Sequence, residues 1–134
     1  MVNSNLMGGL GNYLFQIASS LSLALDNRDT LIYDDSDVTV VHKPIETYKD
    51  NIFRNINFSK INYTVVHYNE PNFHFDKIKY VPNIRLNGYF QSEKYFNHQR
   101  DKILEFFSPT TAIREKIKSK YPFIGKSNVC SIHV

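Results

Sequence analysis

The sequence predicts an α/β layered domain, and three observations carry that prediction. A strand, a glycine turn, a helix and a second strand follow one another in residues 2–33, the order of a βαβ unit with a parallel pair and a crossover. Helical and strand-like segments go on alternating to the end of the chain. The 134 residues, 42% hydrophobic and 14% aromatic, are enough for one domain with a core and do not have the composition of a disordered chain.

Residues 2–7 read as a first strand, weak on propensity because Asn3, Ser4 and Asn5 lie in it. Residues 7–12, M-G-G-L-G-N, form the glycine turn. From residue 12 to 25 the apolar residues Leu14, Ala18, Leu21 and Leu25 recur at helical spacing, with Asn12 as the expected N-cap. Residues 30–33 (T-L-I-Y) read as the second strand. An acidic turn over 34–37 and a short helix within 44–53 follow. Residues 62–68 alternate as a strand does, and residues 84–90 (I-R-L-N-G-Y-F) form another, with Gly88 marking a close approach or a bulge. Residues 92–107 carry helical stretches. Ser108-Pro109-Thr110 stops them and caps a new helix, on which Ile113, Ile117 and Tyr121 share a face. A turn over 122–127 leads to residues 128–134 (N-V-C-S-I-H-V), which read as a buried strand. A sheet strand of this kind normally leads into a ligand-binding loop, so the chain is expected to be a fragment of a longer protein.

Charge and cysteine usage narrow the function. The net charge of +3 is spread along the chain and forms no basic block, so no nucleic-acid partner is expected, although an anionic ligand is favoured. The single cysteine, Cys130, allows no internal disulfide, and no Cys/His cluster has zinc spacing. No signal peptide or membrane-spanning run is visible. A cytoplasmic location is expected, with peripheral association at a membrane where glycans are assembled left open. The acceptor patterns at 57–59 and 62–64 read as chance in an Asn-rich chain.

The glycines are the main chemical signal. A glycine turn opening a helix presents bare N–H groups and the positive end of the helix dipole. Gly8, Gly9 and Gly11 permit positive φ and close backbone approach, and Asn12 adds an amide donor. The pattern suits an anion or sugar hydroxyl, and a ligand-free strand-to-helix turn satisfies it too. A Walker A loop is excluded because Asn12-Tyr13 follows Gly11 where Lys-Ser/Thr is needed. A dinucleotide fingerprint is half matched by Gly9 and Gly11, with Leu14 at its third glycine and Asp34 or Asp35 as the ribose-binding acid. Residues 35–37 (D-S-D) match a metal-holding acidic pattern, but a solvated loop explains them more simply.

Taken together, residues 7–18 (M-G-G-L-G-N-Y-L-F-Q-I-A) resemble the N-terminal signature of the alpha-1,2-fucosyltransferase family, glycosyltransferase family eleven. Residues 48–55 (Y-K-D-N-I-F-R-N) and 86–96 (L-N-G-Y-F-Q-S-E-K-Y-F) are similar to further family segments. Residues 131–134 look like the opening of its H-x-R-R-x-D motif. Tyr13 departs from the family's usual Gln, and the motif's arginines fall beyond Val134.

The resemblance implies a Rossmann-like N-terminal domain, residues 1–134, of a two-domain GT-B-type enzyme whose C-terminal nucleotide-binding domain is missing. It implies transfer of fucose from GDP-fucose, with inversion, to a hydroxyl of an acceptor glycan, without metal or other cofactor. Gly8, Gly9, Gly11, Asn12, Gln91 and Ser92 would line the donor or acceptor cleft. His133 would stand at the start of the arginine motif, and Glu93 is the one carboxylate considered as a base. Tyr89, Phe90, Tyr95 and Phe96 are expected in the core. The parent would be a glycosyltransferase and this chain catalytically silent. The alternatives are a dinucleotide-binding oxidoreductase module and a non-catalytic carbohydrate-binding domain.

Overall fold

A computed structural model describes residues 1–34, 45–62, 64–126 and 128–130. In chain order the elements are β1 (Val2–Ser4), α1 (Leu10–Asp26), β2 (Ile32–Tyr33), α2 (Glu46–Lys49), β3 (Asn57–Phe58), β4 (Val66–Asn69) and β5 (Ile84–Asn87). Two 3₁₀ turns (Glu93–Tyr95 and Asn97–Gln99), α3 (Arg100–Phe106) and α4 (Thr111–Lys120) complete them. The chain is therefore a mixed α/β protein with parallel strands, as its alternating pattern predicts.

β1 pairs in parallel with β5, and β5 with β4; β2 pairs in parallel with β3. A parallel bridge between Val2 and Leu31 sets β2 beside β1. Across the layer the strands thus run β3, β2, β1, β5, β4, so β1 has β2 on one side and β5 on the other; the 3-2-1 half follows the Rossmann order, whereas β5 and β4 are exchanged relative to it. β1 is completely buried despite its poor propensity. Tertiary partners explain this: the Asn3 side-chain oxygen accepts from Arg85 Nε at 3.2 Å, and the Ser4 and Tyr33 hydroxyls bond at 2.6 Å. A buried polar side chain is tolerated where its hydrogen bonds are made.

α1 is the centre of the molecule. Leu6, Tyr13, Ile17, Tyr33, Ile45, Phe53 and Ile56 form one apolar cluster on it. Val2, Ala24, Ile84, Leu86, Phe90 and Tyr95 form a second, and Ala18, Leu21 and Ile103 a third. Burial therefore exceeds the single face that the spacing predicts, and small residues (Ser19, Ser20, Ser22) fill the closest approaches. Each fully buried large aliphatic or aromatic side chain contributes about 1.5–3 kcal/mol.

Several expectations are corrected. α1 starts at Leu10 with Gly9 as its N-cap, so Asn12 lies in the first turn and does not cap. β4 is shifted, with residues 62, 64 and 65 outside it, and the two-residue β3 was missed. Residues 128–130 are not a buried strand: they lie in no strand and are exposed, with Val129 54% accessible and Cys130 exposed. A strand needs a neighbour to pair with, and every described residue from Thr111 onward is exposed. Residues 131–134 and the 35–37 acidic pattern lie outside the described residues. Other expectations hold: α2 sits within 44–53, and the Thr110 hydroxyl accepts from Ile113 N–H at 3.3 Å to cap α4. Among the described residues no helix is long and apolar enough to cross a membrane.

Candidate functional site

In an open parallel sheet, ligands sit beyond the carboxyl ends of the strands, at the point where strand order reverses. Here that point lies between β1 and β5. β1 leads into the glycine turn and β5 into Gly88–Gln91, so two segments about 80 residues apart in sequence meet at one crevice.

The glycine turn is built by one strained position. Gly8 has φ +86°, and a Cβ there would collide with the Asn12 side-chain amide. Gly9 is extended (φ −97°, ψ −179°), and its carbonyl accepts the Tyr13 N–H at 3.1 Å. Gly11 is helical, and a Cβ on it would meet nothing within 4 Å. Only Gly8 of the three therefore needs glycine for its conformation. The amides of Leu10, Gly11 and Asn12 open the helix and have no carbonyl within it to bond. No acidic side chain lies in this first turn.

The opposite wall begins at Gly88, φ +154°, where a Cβ would strike Glu70. The Glu70 carboxylate accepts the N–H groups of Tyr89 at 2.7 Å and Phe90 at 3.0 Å. That double acceptor holds Phe90 at φ +51°, a left-handed conformation costly for an aromatic residue. The Phe90 ring is fully buried, edge-on to Tyr95 at 5.3 Å, and the chain emerges at Gln91 on the surface. Phe90 and Tyr95 are core as expected; Tyr89 and Phe96 are half-buried.

Two glutamines tie the walls together. Gln91 Nε2 donates to Asn12 Oδ1 at 2.7 Å. Gln16, completely buried in α1, accepts from Met7 N–H at 3.1 Å and donates to the carbonyls of Met7 and Gly88 at 3.3 and 3.1 Å. Gln91 thus occupies the Asn12 oxygen, which leaves the Asn12 NH₂ and the helix amides as donors. The two walls are thus held by Gln16 and Glu70, and the Asn12 amide is oriented by Gln91.

The predicted residues divide accordingly. Gly8, Gly9, Asn12 and Gln91 come together, with Gly11 on the exposed shoulder of the helix. Ser92 does not join them: its hydroxyl accepts Lys94 N–H at 3.4 Å and caps the first 3₁₀ turn. Glu93 is exposed in that turn; its carbonyl accepts Phe96 N–H at 3.0 Å, and its carboxylate has no partner among the described residues, which fits the helix-start role that the dipole favours. His133 lies outside the described residues. Tyr13 turns into the core, 1% exposed, and burial and then the neighbouring Tyr48 push its hydroxyl up in pKa; it contributes nothing to the crevice. Gln16 and Glu70 were missed. Gln16 carried a faint signal, a polar residue inside an apolar helical run.

Farther along the same carboxyl edge, Asp34, Phe58, Ser59 and Lys60 line a cavity of about 230 Å³. Asp34 stands where a ribose-binding acid would, but one of its oxygens accepts Ile61 N–H at 2.8 Å. Among the described residues no group of three His, Cys, Asp or Glu side chains is placed to hold a metal. Compared with models of known protein families, with curated proteins and with solved structures, the chain matches none.

Proposed function

We propose that this chain is the N-terminal Rossmann-like domain of a two-domain GT-B-type inverting glycosyltransferase, one that moves fucose from GDP-fucose to a hydroxyl of an acceptor glycan. One observation carries the reading. The two segments that most resemble the alpha-1,2-fucosyltransferases, residues 7–18 and 86–96, meet across the crevice through Gln91–Asn12 and Gln16–Gly88.

Transfer at the anomeric carbon develops negative charge on the leaving diphosphate and releases a proton from the attacking hydroxyl. In this proposal the Asn12 NH₂ and the opening amides of α1 donate to a diphosphate or sugar oxygen. Such donors stabilise charge best when fixed beforehand, and the Gln16 and Glu70 bonds supply that fixity. The arginines expected after His133 by resemblance supply the cationic partner of the diphosphate. The apolar face of α4, with Ile113, Ile117 and Tyr121 each more than a third exposed, gives the second domain a surface to cover.

A dinucleotide-binding module is the second reading, favoured by the parallel β1–α1–β2 unit and by Asp34 at the end of β2. Leu14 stands at its third glycine position, packed against the core cluster where a glycine would let helix and strand close up. The test is to read the coding sequence past Val134 and assay the longest product with GDP-fucose. Continuation as Arg-Arg-x-Asp with fucosyl transfer supports the proposal. A stop codon directly after Val134 removes its catalytic part.

A further inference from the structure

A well-formed cavity lies apart from the crevice. It has a volume of about 570 Å³ and lies on the flank of α1, under the 75–80 segment and the first 3₁₀ turn. None of its lining residues belongs to the glycine turn or to Gly88–Gln91.

We propose that this cavity is a second binding site, for a small amphipathic anion: a compact apolar or aromatic body bearing one phosphate or carboxylate. Its size suits one small molecule, since ligand pockets span about 300–1,000 Å³. Leu23, Ile78, Phe75 and Tyr95 supply the apolar lining, and the two rings pack at 4.9 Å between centroids. Tyr95 is buried and its hydroxyl is occupied by Asp76 N–H at 3.2 Å, so it presents a ring and not a polar group.

The lining keeps one side-chain acceptor at its rim, the Oδ1 of Asn27, whose NH₂ donates to the Leu23 carbonyl at 2.8 Å; its unpaired charges are all cationic. Ser19 is 1% exposed, and its hydroxyl has no hydrogen-bond partner among the described residues. A buried hydroxyl in that state is costly to the fold, and a ligand oxygen would relieve it. Lys77, Lys79 and Lys94 also line the cavity, and none has an ion-pair partner among the described residues. The lining carboxylate, Asp26, is already held by His98 Nε2 and Gln99 Nε2, both at 2.7 Å. Tyr80 directs its hydroxyl away, to Asp29 at 2.9 Å. Three ammonium groups and one unmet hydroxyl over an apolar floor match an acceptor-rich headgroup on an apolar body.

The probe is 1-naphthyl phosphate, titrated calorimetrically into the whole chain, with 1-naphthol and inorganic phosphate as separate arms. The expected result is saturable one-to-one binding of the phosphate ester, at least about tenfold tighter than either arm, because both halves of the site are engaged. Replacing all three lysines (Lys77→Ala, Lys79→Ala, Lys94→Ala) should weaken binding about tenfold or more, with unchanged circular dichroism because these side chains are exposed. Ser19→Ala should weaken it about threefold. Ile117→Lys, on the exposed face of α4, should leave it unchanged. The proposal is overturned by no saturable binding at millimolar probe, by equal binding of 1-naphthol or inorganic phosphate, by a triple variant that binds as well as the parent, or by loss of binding in Ile117→Lys. GDP-fucose should not displace the probe, so this result stands apart from the fate of the crevice.

Discussion

α1 and α4 are both amphipathic by sequence, yet one buries nine of its 17 residues and the other has no buried residue. α1 carries Tyr13, Ile17, Ala18, Leu21 and Ala24 into three clusters that reach every strand around it. α4 repeats Ile113, Ile117 and Tyr121 at the same helical interval, and these side chains stay 37–41% accessible. The contrast separates two quantities that periodicity merges. Spacing determines which face a helix offers; only a partner layer determines whether that face is buried. In α1 the partner is β1 with its neighbours, and its small Ser and Ala residues permit a close approach that α4, with Arg114, Lys116 and Lys118 interleaved, does not seek.

The comparison can be broken most forcefully at the core. Phe53→Ala removes a fully buried ring packed on Tyr13, Tyr48 and Phe107, and should cost about 3–5 kcal/mol in urea unfolding. Ile117→Ala should cost less than about 0.5 kcal/mol. Equal losses would mean that α4 is packed in solution. A second tier lies at the crevice. Glu70→Ala strips two amides of their acceptor and frees Phe90 from its left-handed turn, a loss of about 1–3 kcal/mol. Gly8→Ala should cost about 1–2 kcal/mol through its positive φ and the displaced Asn12 amide, whereas Gly11→Ala should be neutral or stabilise by up to about 1 kcal/mol. The reverse order would show that the turn is built differently.

The smallest effect is one of pH. Burial pushes the Asp29 carboxyl up, but bonds from the terminal ammonium at 2.8 Å, Thr30 N–H at 2.7 Å and the Tyr80 hydroxyl outweigh it, and its pKa is held below the ordinary carboxylate range. The unfolded chain therefore binds this proton first. The stabilisation is present above the ordinary carboxylate pKa and disappears as pH falls through the lower folded value. Asp29→Asn should flatten that acid limb of the stability curve and leave the slope near neutral pH unchanged, as followed by thermal melts across pH 2–6.

Much of the frame was legible in the sequence because its signals are local. The glycine turn, α1, the strand before Gly88 and the Thr110 cap each depend on residues within a few positions of one another. The errors have one physical origin, which is that the deciding partner was distant. Asn3 and Ser4 make a poor strand until Arg85 and Tyr33 satisfy them. Residues 128–130 make a plausible strand by pattern, yet they are exposed and lie in no strand. Asn12 was expected to cap α1, but its side chain is engaged by Gln91, and Gly9 takes the cap position. Gln16 and Glu70 fix the crevice through bonds to Gly88, Tyr89 and Phe90, and no spacing rule points to a contact 72 residues away. Ser92 and Glu93 were drawn to the crevice by their sequence neighbours, while the bend at Phe90 carries them past it into the 3₁₀ turn.

The central claim is that the glycine turn and Gly88–Gln91 form a sugar-nucleotide crevice. A titration of the ¹⁵N-labelled chain with GDP-fucose, followed by amide chemical shifts, tests it most directly, because a dispersed spectrum also certifies the fold. The account predicts saturable shifts at Gly8, Gly9, Gly11, Asn12 and Gln91, with GDP competing and NADH inert. Shifts at those residues with NADH and none with GDP-fucose, or a crevice silent to both in a folded sample, would contradict it.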